Sequence, residues 1–228
     1  LIRFTKFYKN KDHRRPKHAS ELVRGIAVNV YQFNTQFQKL IDLIAKEQPD
    51  FFITMESNSD WEKAMRVVEK DYPFSEKVTL ENTYGMHFYS KLEILEVKTH
   101  YFVADDLPSI EAKLKTKDGY EFVFFGVHPP PPSPTEEKTS KERDGDLLSI
   151  AKKVRNYKIP VLVSGDFNNV AWAYSSQLFR KTSELIDARI GRGIFATFHA
   201  KHWFFRVPLD LLYQRKKIFV KEIINYPS

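Results

Sequence analysis

Asp166 and Asn168 stand two residues apart at the end of a short apolar run, Val161-Leu162-Val163-Ser164-Gly165-Asp166-Phe167-Asn168-Asn169. If the run is a buried strand, its period of two sends both side chains off the C-terminal end on one side. A carboxylate beside a carboxamide can hold a water, a hard cation or both. The same residues also suit an Asx-rich turn that caps a strand, and within this segment the two readings stand even. Asn29, Glu56, His128 and Asp210 occupy comparable places, each at the end of or within another strand-like run. Layered α/β folds gather ligands at strand ends, where loops hold them on a rigid frame. Brought together, these residues make an oxygen-rich pocket that suits Mg²⁺, Mn²⁺ or Ca²⁺ far better than zinc. A hard cation beside a basic rim is what hydrolysis of a phosphate ester requires. The ion offsets charge on the phosphoryl oxygens, and one carboxylate orients or deprotonates the attacking water. Singly, each residue has a plain structural reading as a loop glutamate, a turn histidine or a helix-end acid. Joint placement carries the chemistry.

The elements that must position these groups follow from the apolar pattern. Residues 22–30 read as a first core strand and 35–47 as a helix, with Phe37, Leu40, Ile41 and Ile44 at helical spacing. Pro49 and Asp50 end that helix, and 51–55 is a second core strand. Strand, helix, strand argues for an α/β protein. A second helix is expected over 59–71, with Asp60 near its cap. Segments 84–89, 92–101, 110–116 and 120–127 alternate as an antiparallel meander, the last two joined by a turn at Lys117-Asp118-Gly119. The run Pro129 to Pro132 must be an extended loop. Residues 142–156 and 175–182 are expected as helices, 197–203 and 208–213 as short strands, and 218–223 as a closing strand. No repeat and no long linker divides the chain, so residues 1–228 are expected to form one domain, with 1–20 a basic lead-in.

Composition narrows the partners. With 42% apolar residues, 19 Phe and 11 Tyr among 228, the chain can bury a large core. The absence of cysteine excludes disulfides, thiolate catalysis and Cys-bound zinc, while leaving the compartment open. A net charge of +7 favours anionic partners such as phosphate esters, nucleic acid or acidic headgroups. The basic clusters, such as Lys9, Lys11, Arg14, Arg15 and Lys17, lie mainly near the two termini. No apolar run approaches the ~20 residues that cross a bilayer, and no signal peptide is expected within these residues. A chain opening on Leu1 is expected to be a processed product, cut from an upstream signal or membrane segment.

Ordered motifs add a resemblance. V-N-V at 28–30, T-M-E-S at 54–57, Y-G-M-H-F-Y-S at 84–90, V-H-P-P-P-P at 127–132 with Arg143, S-G-D-F-N at 164–168 with Trp172, L-I-D-A at 185–188, A-T-F at 196–198 and R-V-P-L-D at 206–210 run in order. In this the chain resembles the endonuclease/exonuclease/phosphatase (DNase I-like) superfamily, most of all its bacterial branch whose domain follows membrane helices and faces the periplasm. The resemblance implies a four-layer α/β sandwich of two packed mixed β-sheets flanked by helices. It implies one Mg²⁺ or Mn²⁺ with Glu56 as principal ligand, helped by Asn29 and Asp210. Asp166 would activate the water, Asn168 would hold the nucleophile or a phosphoryl oxygen, and His128 would contact the scissile phosphate. Asp187 matches the acid that orients a final histidine.

That histidine is missing: the family's Asp-His is here Asp210-Leu211. Leucine neither donates a hydrogen bond nor carries charge, and loss of such a group typically costs ~10²–10⁴ in rate. Arg206, on the same segment as Asp210, is the favoured substitute, with His199 and His202 nearby. The expected function is a divalent-metal-dependent phosphoesterase of weakened or altered activity, acting on a phosphodiester or phosphomonoester. The alternative is a degenerate domain that binds a phosphorylated ligand, nucleic acid or a partner protein. Nucleic acid and a small phosphoester or lipid headgroup both remain open as substrate. A monomer is expected, in the periplasm or membrane-associated outside the cytoplasm, with the cytoplasm as alternative.

Overall fold

Strand β1 (Gly25–Asn29), helix α1 (Phe37–Glu47) and strand β2 (Phe51–Met55) form the expected β-α-β unit, with the strands parallel and Asn29 opposite Met55. The computed structural model describes residues 2–5, 7, 8, 22–131, 137–195, 208–215 and 217–226. Helix α1 ends where Gln48 turns left-handed (φ 47°) and its N–H reaches Ile44 O, one residue before Pro49. Helix α2 (Ser59–Met65) is capped by Asn58, whose side chain accepts from Trp61 N, and not by Asp60. It also stops short of residue 71, giving way to a 3₁₀ turn at Arg66–Val68. The β-branched pair Val67-Val68 weakens helix propagation there.

Strands β3 (Phe74–Val78) and β4 (Met86–Ser90) complete a four-stranded sheet in the order β1-β2-β4-β3. The chain then changes sheets. Strands β5 (Glu93–Tyr101), β6 (Pro108–Lys115), β7 (Glu121–Val127), β8 (Val161–Asp166), β9 (Ile186–Asp187) and β10 (Asp210–Gln214) form a second sheet, ordered β5-β6-β7-β8-β10-β9. Helices α3 (Glu137–Arg155) and α4 (Tyr174–Ser183) flank β8 in sequence. The meander is thus only β5-β6-β7, because β4 pairs with β2 and β3 and has no pairing with β5. Residues 218–223 form no strand. They run irregularly, with Ile218 packed against the core between the sheets. The segment 197–203 lies outside the described residues.

The two sheets pack face to face through Phe51, Ile53, Met55 and Phe88 on one side and Ile110, Ala112, Leu114 and Phe124 on the other. Gly126 permits this approach, since a Cβ there would lie 2.1 Å from Ile53 Cδ1. Phe52 faces the opposite way, onto Leu40, Ile44, Trp61 and Met65 of α1 and α2. Strand β2 is therefore apolar at every position but Thr54 because both of its faces are covered. Helix α3 brings Leu147, Ile150, Ala151 and Val154 onto Val123, Val163 and Phe125 of the second sheet, and α4 adds Phe179. Each large apolar side chain so buried contributes about 1.5–3 kcal/mol. The result is a four-layer α/β sandwich, helices, sheet, sheet, helices.

Candidate active site

Strand β2 delivers Glu56 and strand β8 delivers Asp166 at the same end of the sandwich. The two ends are joined directly, for Asp166 N donates to Met55 Sδ at 3.1 Å. Glu56 sits at φ 63°, a conformation that costs a non-glycine residue energy and recurs at functional sites. Gly165 is required by close approach: at φ 149° its missing Cβ would stand 2.0 Å from Val127 O on β7. The strand then ends at Asp166, and Asn168 turns left-handed (φ 47°), its N–H donating to Asp166 Oδ1 at 2.8 Å. Strand alternation does not reach Asn168. The segment is the Asx turn, and the turn itself builds the site.

Asn29, at the end of β1, ties the carboxylates together. Its Nδ2 donates to Glu56 Oε1 at 2.7 Å and to Asp166 Oδ2 at 3.2 Å, while its Oδ1 accepts from Tyr31 N at 2.9 Å. The other Glu56 oxygen accepts from Gln32 N at 3.3 Å. Asn168 Nδ2 donates to Pro129 O at 2.9 Å, which brings the turn beside His128. His128 is buried, its ring centre 5.8 Å from that of Tyr84. Its Nδ1 has no partner among the described residues. Asp210 stands directly across the antiparallel ladder from Asp166. Asn29, Glu56, His128, Asp166, Asn168 and Asp210 are therefore placed around one end of the sandwich.

Two expected residues remain, Asp187 and Arg206. Asp187 is buried on β9, where both carboxylate oxygens are taken by Arg189, Nε to Oδ1 at 3.0 Å and Nη2 to Oδ2 at 2.8 Å. Arg206 lies outside the described residues, as do His199 and His202. Leu211 is buried in the apolar cluster that contains Phe167, Phe179 and Tyr213. Sequence reasoning missed Gln32 and Arg189. The signal for Arg189 was its place two residues after an acid whose family partner is absent, whereas Gln32 carried none beyond its nearness to Asn29.

The electrostatics of this cluster are unbalanced. Asp166 faces Asp210 across a ladder, an arrangement that destabilises a sheet when both are charged. Among the described residues neither Glu56 nor Asp166 pairs with a lysine, arginine or histidine. A cation is the natural complement. Among the described residues no set of three or more His, Asp or Glu side chains forms a metal cage. Mg²⁺ needs none, since it is usually held by one or two carboxylates and keeps several waters. The carboxylates present fit such an ion.

A model of the endonuclease/exonuclease/phosphatase family matches residues 26–226. No curated protein matches the sequence. Among solved structures the chain is similar to D. rerio TDP2 complexed with a single-strand DNA product, at 15% identity and TM-score 0.69, covering 85% of this chain and 82% of that one. It is similar to the human Nocturnin catalytic domain with bound sulfate, at 17% identity and TM-score 0.65, covering 84% and 82%. Sphingomyelinase C from Streptomyces griseocarneus aligns at 14% identity and TM-score 0.64, covering 85% and 82%.

Proposed function

The chain belongs to the endonuclease/exonuclease/phosphatase family, and from that premise we propose that it is a divalent-metal-dependent phosphoesterase of reduced activity. The observation that carries this reading is the sharing of one amide, Asn29 Nδ2, by carboxylates from two different sheets, Glu56 and Asp166. Folding draws like charges together there at a cost, which a purely structural domain has no reason to bear.

In this reading Glu56 holds Mg²⁺ or Mn²⁺, with Asp210 beside it. Asn29 holds both carboxylates in place and keeps a second lone pair on Oδ1 for the ion. When bound, the ion offsets negative charge on the phosphoryl oxygens. Asp166 takes a proton from the attacking water as the new P–O bond forms. The Asn168 N–H fixes the Asp166 carboxylate, so its free lone pairs face the water. His128 donates to a phosphoryl oxygen through a ring nitrogen, and the leaving alkoxide is protonated from solvent. Leu211 offers no donor, so the chemical step runs ~10²–10⁴ slower than with a positioned histidine. The ordered set of motifs is the basis on which we further propose the bacterial membrane-associated branch and, with it, a location outside the cytoplasm.

The test is a panel of phosphodiesters and phosphomonoesters assayed with Mg²⁺ or Mn²⁺, with Asp166→Ala as the blank. Metal-dependent turnover above the blank is the expected result. Turnover equal to the blank across the panel would leave a binding domain without chemistry.

A further inference from the structure

Thr54 is the one polar side chain on β2, and it is buried. Phe51, Ile53 and Met55 face the second sheet, so alternation puts Thr54 on the helix side with Phe52. A valine there would fill the same space with no polar atom to desolvate. The hydroxyl has a partner in Ser57, three residues on and also fully buried, with the two oxygens 2.6 Å apart. Thr54 Oγ1 donates to His87 O at 3.4 Å, which leaves Ser57 as the donor in the shorter contact. Between the two hydroxyls the backbone passes through Glu56 at φ 63°. Glutamate disfavours that left-handed conformation and leaves it unless held. The hydroxyl pair ties residue 54 to residue 57 across the turn, and Ser57 N donates to Gly85 O at 2.9 Å. Gly85 presses on the same turn, since a Cβ there would stand 1.9 Å from Ser57 O. From this conformation the Glu56 carboxylate meets Asn29 Nδ2 and Gln32 N. A change of φ at residue 56 redirects its Cβ and, with it, the carboxylate.

We infer that Thr54 and Ser57 are positioning residues, a buried hydroxyl pair that holds Glu56 left-handed and so aims its carboxylate at Asn29 and at the ion. The effect on metal binding rests on the phosphoesterase reading, whereas the hold on Asn29 does not. Neither hydroxyl is exposed to the cleft, so the pair acts on the ion through Glu56. Groups that support a metal ligand from behind matter to affinity because they fix where the ligand points.

The test compares Thr54→Val, Ser57→Ala, their double variant and the conservative Thr54→Ser with wild type. Three quantities are read: the urea midpoint, Mn²⁺ affinity by calorimetry, and the NMR signals of the Asn29 side-chain amide in EDTA. Each of Thr54→Val and Ser57→Ala strands one hydroxyl and should lower the midpoint, while the double variant removes both and should recover most of the loss. Despite that recovery, the Mn²⁺ dissociation constant of the double variant is expected to rise about tenfold or more. Its Asn29 amide should shift and exchange faster in EDTA, because the Glu56 carboxylate no longer holds it. Thr54→Ser keeps the hydroxyl and should keep wild-type values of both. In a protein that binds Mn²⁺, a recovered midpoint with either the affinity or the Asn29 signals still at wild-type values overturns the inference and leaves a merely structural pair. Should the double variant not fold, Thr54→Val against Thr54→Ser makes the same comparison, and equal values in those two overturn it. A wild type that binds no Mn²⁺, with an Asn29 amide that still responds to the variants, would instead overturn the phosphoesterase reading and leave the positioning role standing.

Discussion

Asp187 and Arg189 form a buried bidentate ion pair at the edge of the six-stranded sheet, their side chains only 3% and 2% exposed. Ala188 N donates to Leu212 O at 2.9 Å, continuing the β9–β10 ladder so that Arg189 comes level with Leu211. The resemblance matches this acid to one that orients a histidine, which would stand at position 211. Here that position is apolar core, and the acid has taken an arginine two residues away. The Arg189 guanidinium also lies 5.5 Å from the centre of the Phe4 ring, so the pair helps hold the N-terminal turn.

A histidine restored at position 211 should therefore fail to restore catalysis. Leu211→His places an imidazole in an apolar cluster while Asp187 is fully engaged, costing about 1–3 kcal/mol as an unsatisfied buried group. Hydrolysis should change by less than about twofold. The double variant Leu211→His/Arg189→Ala frees the acid and is the one expected to gain rate. A tenfold gain from the single variant, measured on a generic phosphodiester, would show that Asp187 can turn from Arg189 to the ring.

The ion pair itself should behave as a unit. Arg189→Met strands the Asp187 carboxylate and is expected to cost about 3–5 kcal/mol in urea unfolding. Adding Asp187→Asn removes the stranded charge and should recover most of that loss. If the double variant is no more stable than the single one, the cost lies in packing against Phe4 and not in the charge.

How far this was legible in the sequence depends on how local the cause is. Strands β2, β7 and β8 read correctly because both faces are covered, which leaves continuous apolar runs. The departure of the chain from one sheet to the other between Ser90 and Glu93 did not, since β4 and β5 carry strand patterns that say nothing about their partners. Strand β3, Phe74-Ser-Glu-Lys-Val, went unassigned, because it is a half-exposed edge whose polar residues carry no clear strand pattern. In the site, Glu56, His128, Asp166 and Asn168 announced themselves by chemical type at strand ends. Arg189 did not, because an arginine usually means solvent, and its burial follows from a pairing that only the folded β9–β10 edge creates.

Glu56 should trade stability for function. Its carboxylate lies against Asn29 with Asp166 on the same amide. Glu56→Gln removes one of the like charges and is expected to raise stability by about 0.5–2 kcal/mol in metal-free buffer. Calorimetric titration with Mg²⁺ and Mn²⁺ should show binding to wild type and none to the variant. Equal binding by both would remove Glu56 from the metal site.

Acid should loosen the four-stranded sheet through His87. Thr79 Oγ1 donates to Glu62 Oε2 at 2.6 Å, so the 3.0 Å contact between Thr79 Oγ1 and His87 Nε2 has the ring as donor. Its Nδ1 is then unprotonated, and it is buried without a partner among the described residues. Burial lowers the pKa from 6.5 to about 4, with Glu62 opposing and Lys77 assisting. The folded state thus favours the neutral ring, whereas the unfolded chain takes up a proton near 6.5. Stability from this group is complete above 6.5 and is lost as pH falls toward 4, by roughly 3 kcal/mol. His87→Gln should flatten the urea midpoint between pH 6.5 and 4. A wild-type midpoint that stays level there, once Asp146 is neutralised by mutation, would contradict it.

Asp146 works in the opposite direction. It faces inward from α3, 2% exposed, with Oδ1 unpartnered among the described residues, and burial raises its pKa from 3.8 to about 7. The fold holds the protonated acid, while the unfolded chain releases its proton near 3.8. Stability is therefore highest below 3.8 and declines as pH rises through 7, where the fold must bear a buried charge. Asp146→Asn removes the titration. It should leave stability nearly unchanged at pH 4 and raise it by roughly 2–4 kcal/mol at pH 8. Urea midpoints of the two proteins at pH 4, 6 and 8 decide the matter. A difference that does not grow with pH would mean that Asp146 finds a charged partner, and its burial would then need another explanation.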